Sequence, residues 1–226
     1  MTDTKTMRVV DIIQEYGTCL ELVPIDPHFE NITVGLYYRA DTDVATVWTF
    51  SRKPGVEDRI RQIRDQLVRL GGMAAIDGTH NQVRFRCGQM HLRPAKFLLV
   101  QAVEKPPDFA HEGDVLSVKD LKSRLMMYSE AREIDGRWVY EIWPEAGAPE
   151  KIARMRTRAM VGGLVRYGEM ERVSNIGAAF GCGFKHDGLV RLLLPYARNV
   201  SAVEQMLESS ALRGQLTTGT AGFSPL

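Results

Sequence analysis

The sequence predicts an α+β protein built from two similar halves, with antiparallel sheets and helices packed on one face. Three observations carry this prediction: a globular composition, runs of β-branched and aromatic residues beside amphipathic helical periods, and an internal repeat. The chain has 226 residues, of which 44% are hydrophobic and 25% charged. Such a chain can bury a large core in one domain or two small ones.

The repeat is a sparse set of motifs that occurs twice in the same order. Its members are Trp48, Pro54, residues 67–73 and residues 85–88 in the first half, and Trp143, Pro149, residues 164–170 and residues 180–183 in the second. The offset is 95 residues at the tryptophans and again at the cysteines, with a change to 97 between them that loops absorb cheaply. The repeat predicts a duplication, with halves at residues 1–106 and 107–212 and a tail or arm at residues 213–226.

In the first half, residues 31–38 and 44–50 are rich in β-branched and aromatic residues and predict a hairpin. Apolar residues then recur at steps of three and four from Val56 to Leu70, which predicts an amphipathic helix ending at a Gly-Gly pair. Residues 82–86 alternate and predict a strand paired with residues 96–103. A short helix is expected before these strands, at residues 7–16.

In the second half, residues 125–132 and 137–143 predict strands joined through Asp135-Gly136, a tight turn that tolerates positive φ. A helix is predicted from Pro149 to Tyr167, because proline suits the first helical turn. Two strands are expected next, at residues 178–184 and 189–194, joined by a turn at residues 185–188. A short helix at residues 117–125 is expected to precede this half. Each half is therefore predicted as roughly α-β-β-α-β-β, with a proline-containing linker at residues 105–113.

Charge and targeting patterns exclude several classes of partner. Lys and Arg total 29 against 28 for Asp and Glu, so no overall field attracts nucleic acid. No run approaches the roughly 20 apolar residues of a membrane span, and the first residues lack a secretory pattern, so a cytoplasmic location is expected. The three cysteines contain no CxxC pair, which predicts reduced thiols rather than a disulfide framework or a zinc cluster.

The glycine-rich stretch at residues 177–194 invites a catalytic or phosphate-binding interpretation. Its glycine spacing fits neither a Walker loop nor a dinucleotide fingerprint. Cys182 as a nucleophile would need a base nearby, and His186 is four residues away, which is about 13 Å along an extended strand. The pattern therefore favours a buried Cys182 on a strand face shared with Phe180 and Phe184.

The opposite face of that strand suggests a ligand site. Gly181 and Gly183 leave it bare, whereas the equivalent strand of the first half places Arg84 and Arg86 there. If these faces border a cleft between the halves, guanidinium groups would bind a small anion against bare backbone, with Lys185 as a further candidate. The alternative is a solvated arginine face and glycines that accommodate helix packing.

No metal site is expected, because the five histidines are scattered and form no HxxxH, HExxH or Cys/His pair. If His186 lies at the mouth of the proposed cleft, it is the candidate general acid or base, with Asp187 orienting its imidazole. No motif specifies a cofactor.

Three functions follow from these patterns. The first is a cytoplasmic metabolic protein, more an enzyme than not, that binds a small anionic molecule between its halves. The second is a non-catalytic binding or assembly subunit, with a homo-oligomer or a partner subunit as its context. The third, less favoured, is an RNA-binding protein that uses the arginine-rich helix near Arg154 and Arg158.

Overall fold

The computed structural model describes residues 15–24, 32–103 and 115–198. It confirms an α+β architecture with two antiparallel five-stranded sheets. In the described residues the elements are β1 (Thr18–Pro24), β2 (Thr33–Arg39), β3 (Val44–Trp48), α1 (Val56–Gly71), β4 (Met73–Ala75), β5 (Gln82–Phe85), α2 (Leu92–Val103), β6 (Val115–Lys119), β7 (Met126–Ile134), β8 (Arg137–Pro144), α3 (Glu150–Gly168), β9 (Glu171–Arg172), β10 (Gly177–Ala179) and α4 (Asp187–Ala197).

The two sheets have the same internal order. The first runs β1-β2-β3-β5-β4 and the second runs β6-β7-β8-β10-β9, and the helices follow the third and fifth strands in both. Each half is thus β-β-β-α-β-β-α in the described residues. In each half the fifth strand along the chain, β5 or β10, leads directly into the last helix, α2 or α4.

Several predicted elements are confirmed. The hairpin β2–β3 and the hairpin β7–β8 form, the latter through Asp135 and Gly136 at φ of 51° and 73°. Helix α1 buries its periodic apolar positions and ends at Gly72, whose φ of 62° makes it a left-handed C-cap. Helix α3 begins after Pro149, as predicted from that residue's missing N–H.

Three predicted elements are wrong, and two of them share a cause. Residues 96–103 and 189–194 are not strands but parts of α2 and α4, whose apolar residues are almost all buried. A short continuous apolar run has no readable period, so it fits a buried strand and a buried helix equally well. The helix predicted at residues 117–125 is strand β6 followed by a turn, because Val115 to Lys119 pairs with β7.

The predicted strand at residues 178–184 is much shorter than expected. Pairing stops at Ala179, and the chain turns through residues 180–183, with Gly183 at φ of 71°. Lys185 to Gly188 is consequently not a hairpin turn but the entry to α4. This change moves Cys182 from the predicted strand into a turn, and His186 from the predicted hairpin turn to the N-cap of α4.

The two halves pack through their helices around a single hydrophobic core. The start of α4 lies so close to the end of α1 that a Cβ on Gly188 would be 2.6 Å from the Leu70 carbonyl oxygen. The reciprocal contact is at the start of α2, where the Arg93 backbone N–H donates to the Glu169 carboxylate at 3.0 Å. Arg93 Nη1 also donates to the Arg166 carbonyl at 2.7 Å. Each last helix therefore starts against the long helix of the other half.

Some predicted features lie outside the described residues. They are most of the first helix at residues 7–14, the linker at residues 105–113 with the boundary between the halves, and the tail at residues 213–226. Within the described ranges, none of the helices combines the length and the apolar character needed to cross a bilayer.

Candidate metal centre

Two cysteines and two histidines converge where α2 and α4 begin. They are Cys87 and His91 from the first half and Cys182 and His186 from the second, and one potential ligand atom from each lies within 4.8 Å of all the others. Sγ of Cys87 is 3.4 Å from Nε2 of His91, and Sγ of Cys182 is 3.0 Å from Nε2 of His186. The expectation that the sequence contains no close Cys/His pair is therefore wrong.

The local backbone explains how four residues of separation become a contact. Each cysteine follows a short strand and precedes a glycine, Gly88 or Gly183, and both glycines have φ of 71°. A left-handed residue reverses the chain direction, which glycine does without a Cβ penalty. The 13 Å expected between Cys182 and His186 assumed an extended strand, and the turn removes that separation.

Each histidine is fixed by the helix that follows it. The His91 carbonyl accepts the Ala95 N–H at 2.8 Å, and the His186 carbonyl accepts the Val190 N–H at 3.0 Å, so both residues close the first helical turn. Backbone geometry therefore holds both imidazoles beside both sulfur atoms.

The imidazoles lie in an aromatic shell. The ring centroids of His91 and His186 are 4.8 Å apart, and both rings contact Phe85 of the first half and Phe180 of the second. His91 is 4% exposed and His186 is 2% exposed, whereas both cysteines are half-buried. The site therefore presents its sulfur side toward solvent and its nitrogen side toward the core.

Burial sets the protonation of these groups. It lowers the pKa of His91, and burial together with the neighbouring His91 lowers the pKa of His186 to about 4. Burial, and then the nearby Cys182, raises the pKa of the Cys87 thiol to about 11. At neutral pH the imidazoles are thus uncharged and have a lone pair to offer, which is the form that binds metals.

The second ring nitrogen of His186 lies in an unusual environment. Its Nδ1 is buried and has no hydrogen-bond partner among the described residues. The expected partner, Asp187, does not fill this role, because its carboxylate accepts from Tyr140 at 3.1 Å and pairs with Lys185 at 3.0 Å. Since Nε2 is the atom that contacts the Cys182 sulfur, Nδ1 is the nitrogen that faces away from the four-donor cluster.

The residues predicted to bind an anion are arranged differently. Arg84 and Arg86 are exposed. A Cβ on Gly181 would be 3.6 Å from the Glu171 carboxylate, and one on Gly183 would be 3.4 Å from the Gly136 carbonyl. Negative or acceptor oxygens therefore flank the two glycines, which does not favour an anion there.

The sequence contains a further signal that points to these four residues. The pattern F-x-C-G-x-x-H occurs at residues 85–91 and again at residues 180–186, at the same offset of 95 residues as the tryptophans of the repeat. A Cys-x3-His spacing that occurs twice is the kind of half-site from which four-ligand metal centres are built. Comparison of the chain with protein-family models, with curated proteins and with solved structures found no significant match to any of them.

Proposed function

We propose that the protein binds one Zn²⁺ ion through Cys87, His91, Cys182 and His186, and that this ion joins its two halves. The observation that carries the proposal is the convergence of four ligand atoms within 4.8 Å, two from each half. Cys2His2 is a common ligand set of structural zinc sites. The proposal assigns a binding and assembly role rather than a catalytic one.

The spacing of the donors supports tetrahedral coordination. With Zn–S near 2.3 Å and Zn–N near 2.05 Å, a sulfur and a nitrogen on one tetrahedral edge are about 3.6 Å apart. The two Cys–His separations, 3.4 Å and 3.0 Å, are within about 0.6 Å of that edge. Small side-chain rotations therefore suffice for all four donors to reach one ion.

Charge balance supports a divalent ion. Two thiolates and two neutral imidazoles carry a charge of −2, which a divalent ion neutralises. The shell is formed by Phe85 and Phe180, which cannot stabilise a residual charge. A monovalent copper ion would leave a net negative charge beside this shell, so charge balance favours a divalent ion, and the Cys2His2 ligand set favours Zn²⁺ among the divalent ions.

The ligand count supports a structural role. Catalytic zinc sites keep a coordination position open for water or substrate, whereas four protein ligands close the site. Commitment of the His186 Nε2 atom to the ion also removes it as the general base that the sequence suggested. The ion would act as a link between two turns that are 95 residues apart in the chain.

A duplication origin is part of the proposal. It is supported by the shared strand order of the two sheets and by the F-x-C-G-x-x-H spacing in both halves. A chimera in which residues 180–186 are replaced by the sequence of residues 85–91 should keep zinc binding. Loss of zinc from a folded chimera would show that the two turns are not equivalent.

Metal analysis of the purified full chain tests the zinc site. We expect one Zn²⁺ per chain, and a Co²⁺-substituted protein with the intense visible bands of tetrahedral coordination and a thiolate charge-transfer band. Cys87→Ser and Cys182→Ser should lose the stoichiometric metal. Cys19→Ser is the matched control, because Cys19 is an exposed thiol outside the cluster, and it should keep the metal. A folded wild-type chain that takes up neither ion would refute the proposal.

Anion binding by Arg84 and Arg86 remains a separate hypothesis. Its only support in the structure is that both guanidinium groups are exposed. Titration with inorganic phosphate should raise the melting temperature of the wild-type chain and not that of an Arg84→Ala/Arg86→Ala variant. Equal responses of the two proteins would remove this hypothesis without affecting the zinc proposal.

A further inference from the structure

We infer that Cys87 and Cys182 form a site of reversible oxidation, at which a peroxide converts the two thiolates into a disulfide and expels the metal. The inference rests on the proposed zinc site and concerns its chemistry. It joins two observations that the binding proposal does not need. One is the exposure of the sulfur side of the cluster, and the other is the origin of the two sulfur atoms in different halves.

Access to the cluster is one-sided. Both cysteines are half-buried, whereas His91 and His186 are 4% and 2% exposed. A small polar oxidant arriving from solvent therefore meets sulfur before it meets nitrogen. Susceptibility of a cysteine follows its thiolate character and its exposure, and coordination to Zn²⁺ supplies the thiolate form.

The two sulfur atoms are also within reach of each other. They lie no more than 4.8 Å apart, and a disulfide bond is about 2.05 Å long. Both residues lie in turns, at residues 86–87 and 181–182, rather than in the middle of a paired strand. A disulfide also requires Cβ atoms about 3.5–4.5 Å apart, so peptide mapping of the bond tests this geometry.

The reaction balances with hydrogen peroxide as the oxidant. One thiolate attacks a peroxide oxygen, so an S–O bond forms, the O–O bond breaks, and hydroxide leaves and is protonated to water. The second thiolate then attacks the new sulfenic sulfur, so the S–S bond forms, the S–O bond breaks, and a second hydroxide leaves as water. The two sulfurs lose two electrons, the peroxide gains two, and Zn²⁺ leaves without a change of oxidation state.

Oxidation exchanges one link between the halves for another. In the zinc form, four donors join the turn after β5 to the turn after β10. In the oxidised form, a single covalent bond joins the same two turns, and the buried imidazoles are left without an ion. The two halves stay covalently linked while Zn²⁺ is released into solution. The concentration of free zinc is therefore what changes on oxidation.

The experiment treats the zinc-loaded full chain with hydrogen peroxide and follows released zinc with a chromophoric indicator. We expect about one Zn²⁺ released per chain, with a Cys87–Cys182 disulfide found by non-reducing peptide mapping. Dithiothreitol and added zinc should restore the starting material. Cys19→Ser should behave like the wild type, because its thiol lies outside the cluster. Cys182→Ser lacks the stoichiometric metal, so peroxide should release no zinc from it, and its Cys87 should form no intramolecular disulfide.

The outcomes separate this inference from the zinc proposal. If the chain holds zinc but peroxide releases none, or if release comes with sulfinic acid instead of a disulfide, the oxidation site is wrong and the zinc site stands. If the chain takes up no zinc at all, the zinc proposal fails. In that case a mapped Cys87–Cys182 disulfide after peroxide would still support the oxidisable pair, and its absence would overturn that as well.

Discussion

Removal of zinc by a chelator should lower the stability of the protein by an amount that the chain topology sets. The proposed ion would link Cys87 to Cys182, and 182 minus 87 gives a closed segment of 95 residues. A cross-link that persists in the unfolded chain and closes a loop of this length stabilises the folded state by about 4.7 kcal/mol at 25 °C, and a bound ion reaches the same scale when free zinc exceeds its dissociation constant about 3,000-fold. For a chain of this size, about 1 kcal/mol shifts the melting temperature by roughly 2–4 °C.

The expected loss on chelation is therefore a fall in melting temperature of about 10–20 °C. The assay is thermal unfolding followed by circular dichroism, with the full chain in excess zinc and in excess EDTA. It needs no substitution, so a variant that fails to fold cannot obscure the result. The same experiment on Cys19→Ser should give the same fall, because that thiol lies outside the cluster.

The matched comparison uses the double variant Cys87→Ser/Cys182→Ser. Its melting temperature should not respond to EDTA, and it should lie near that of the chelated wild type. A wild-type protein whose melting temperature is the same in zinc and in EDTA, within about 2 °C, would contradict the cross-link reasoning.

Three further predictions concern stability. Gly163→Ala should destabilise the protein by about 1–3 kcal/mol, because its Cβ would lie 2.7–2.9 Å from atoms of the α4 residue packed against it. Gly162→Ala in the same helix meets only one side-chain nitrogen, at 3.5 Å, and should stabilise the protein by up to about 1 kcal/mol. Urea titrations of the two variants compare these effects directly. Asp120→Ala should lower the free energy of unfolding by about 3–5 kcal/mol in the same assay, because it leaves the buried guanidinium of Arg156 without its ion-pair partner, which lies 2.6 Å from Nη2. A loss below about 1 kcal/mol would contradict a buried ion pair. In the chelated protein, the pKa of His186 is about 4 against an ordinary 6.5, so the unfolded chain binds the extra proton and this residue should cost about 3 kcal/mol of stability as pH drops from 6.5 to 4. The fall should be smaller in His186→Gln, where the lowered pKa of His91 still acts.

The sequence predicts the parts of the fold that have a readable period. Helix α1 follows its three-and-four spacing from Val56, and the hairpin β7–β8 follows its Asp-Gly turn. Helices α2 and α4 could not be predicted in this way, because each contains a continuous apolar run, residues 97–100 and 192–194. Such a short run fits a buried strand as well as a helix, so its period cannot decide between them.

The candidate site was missed for the same reason. If residues 189–194 formed a strand, as predicted, Cys182 and His186 would belong to one extended hairpin. They would then be about 13 Å apart and could not be in contact. The fact that α4 starts at Asp187 turns the same four-residue spacing into a contact of 3.0 Å. The repeat predicts which strand faces are buried. The histidine that lies four residues after each cysteine is a second signal in the same repeat, and it points to the site.

Because each half supplies two of the four donors, the proposed site can bind its ion only after both halves have been synthesised. During synthesis, Cys87 and His91 are available while the second turn is still to come, and two donors alone do not complete a tetrahedral site. In the proposed metal-bound form, zinc is captured only after His186 has been made and α4 has come to rest against α1. Occupancy of the centre would thus report that both halves are complete and correctly joined.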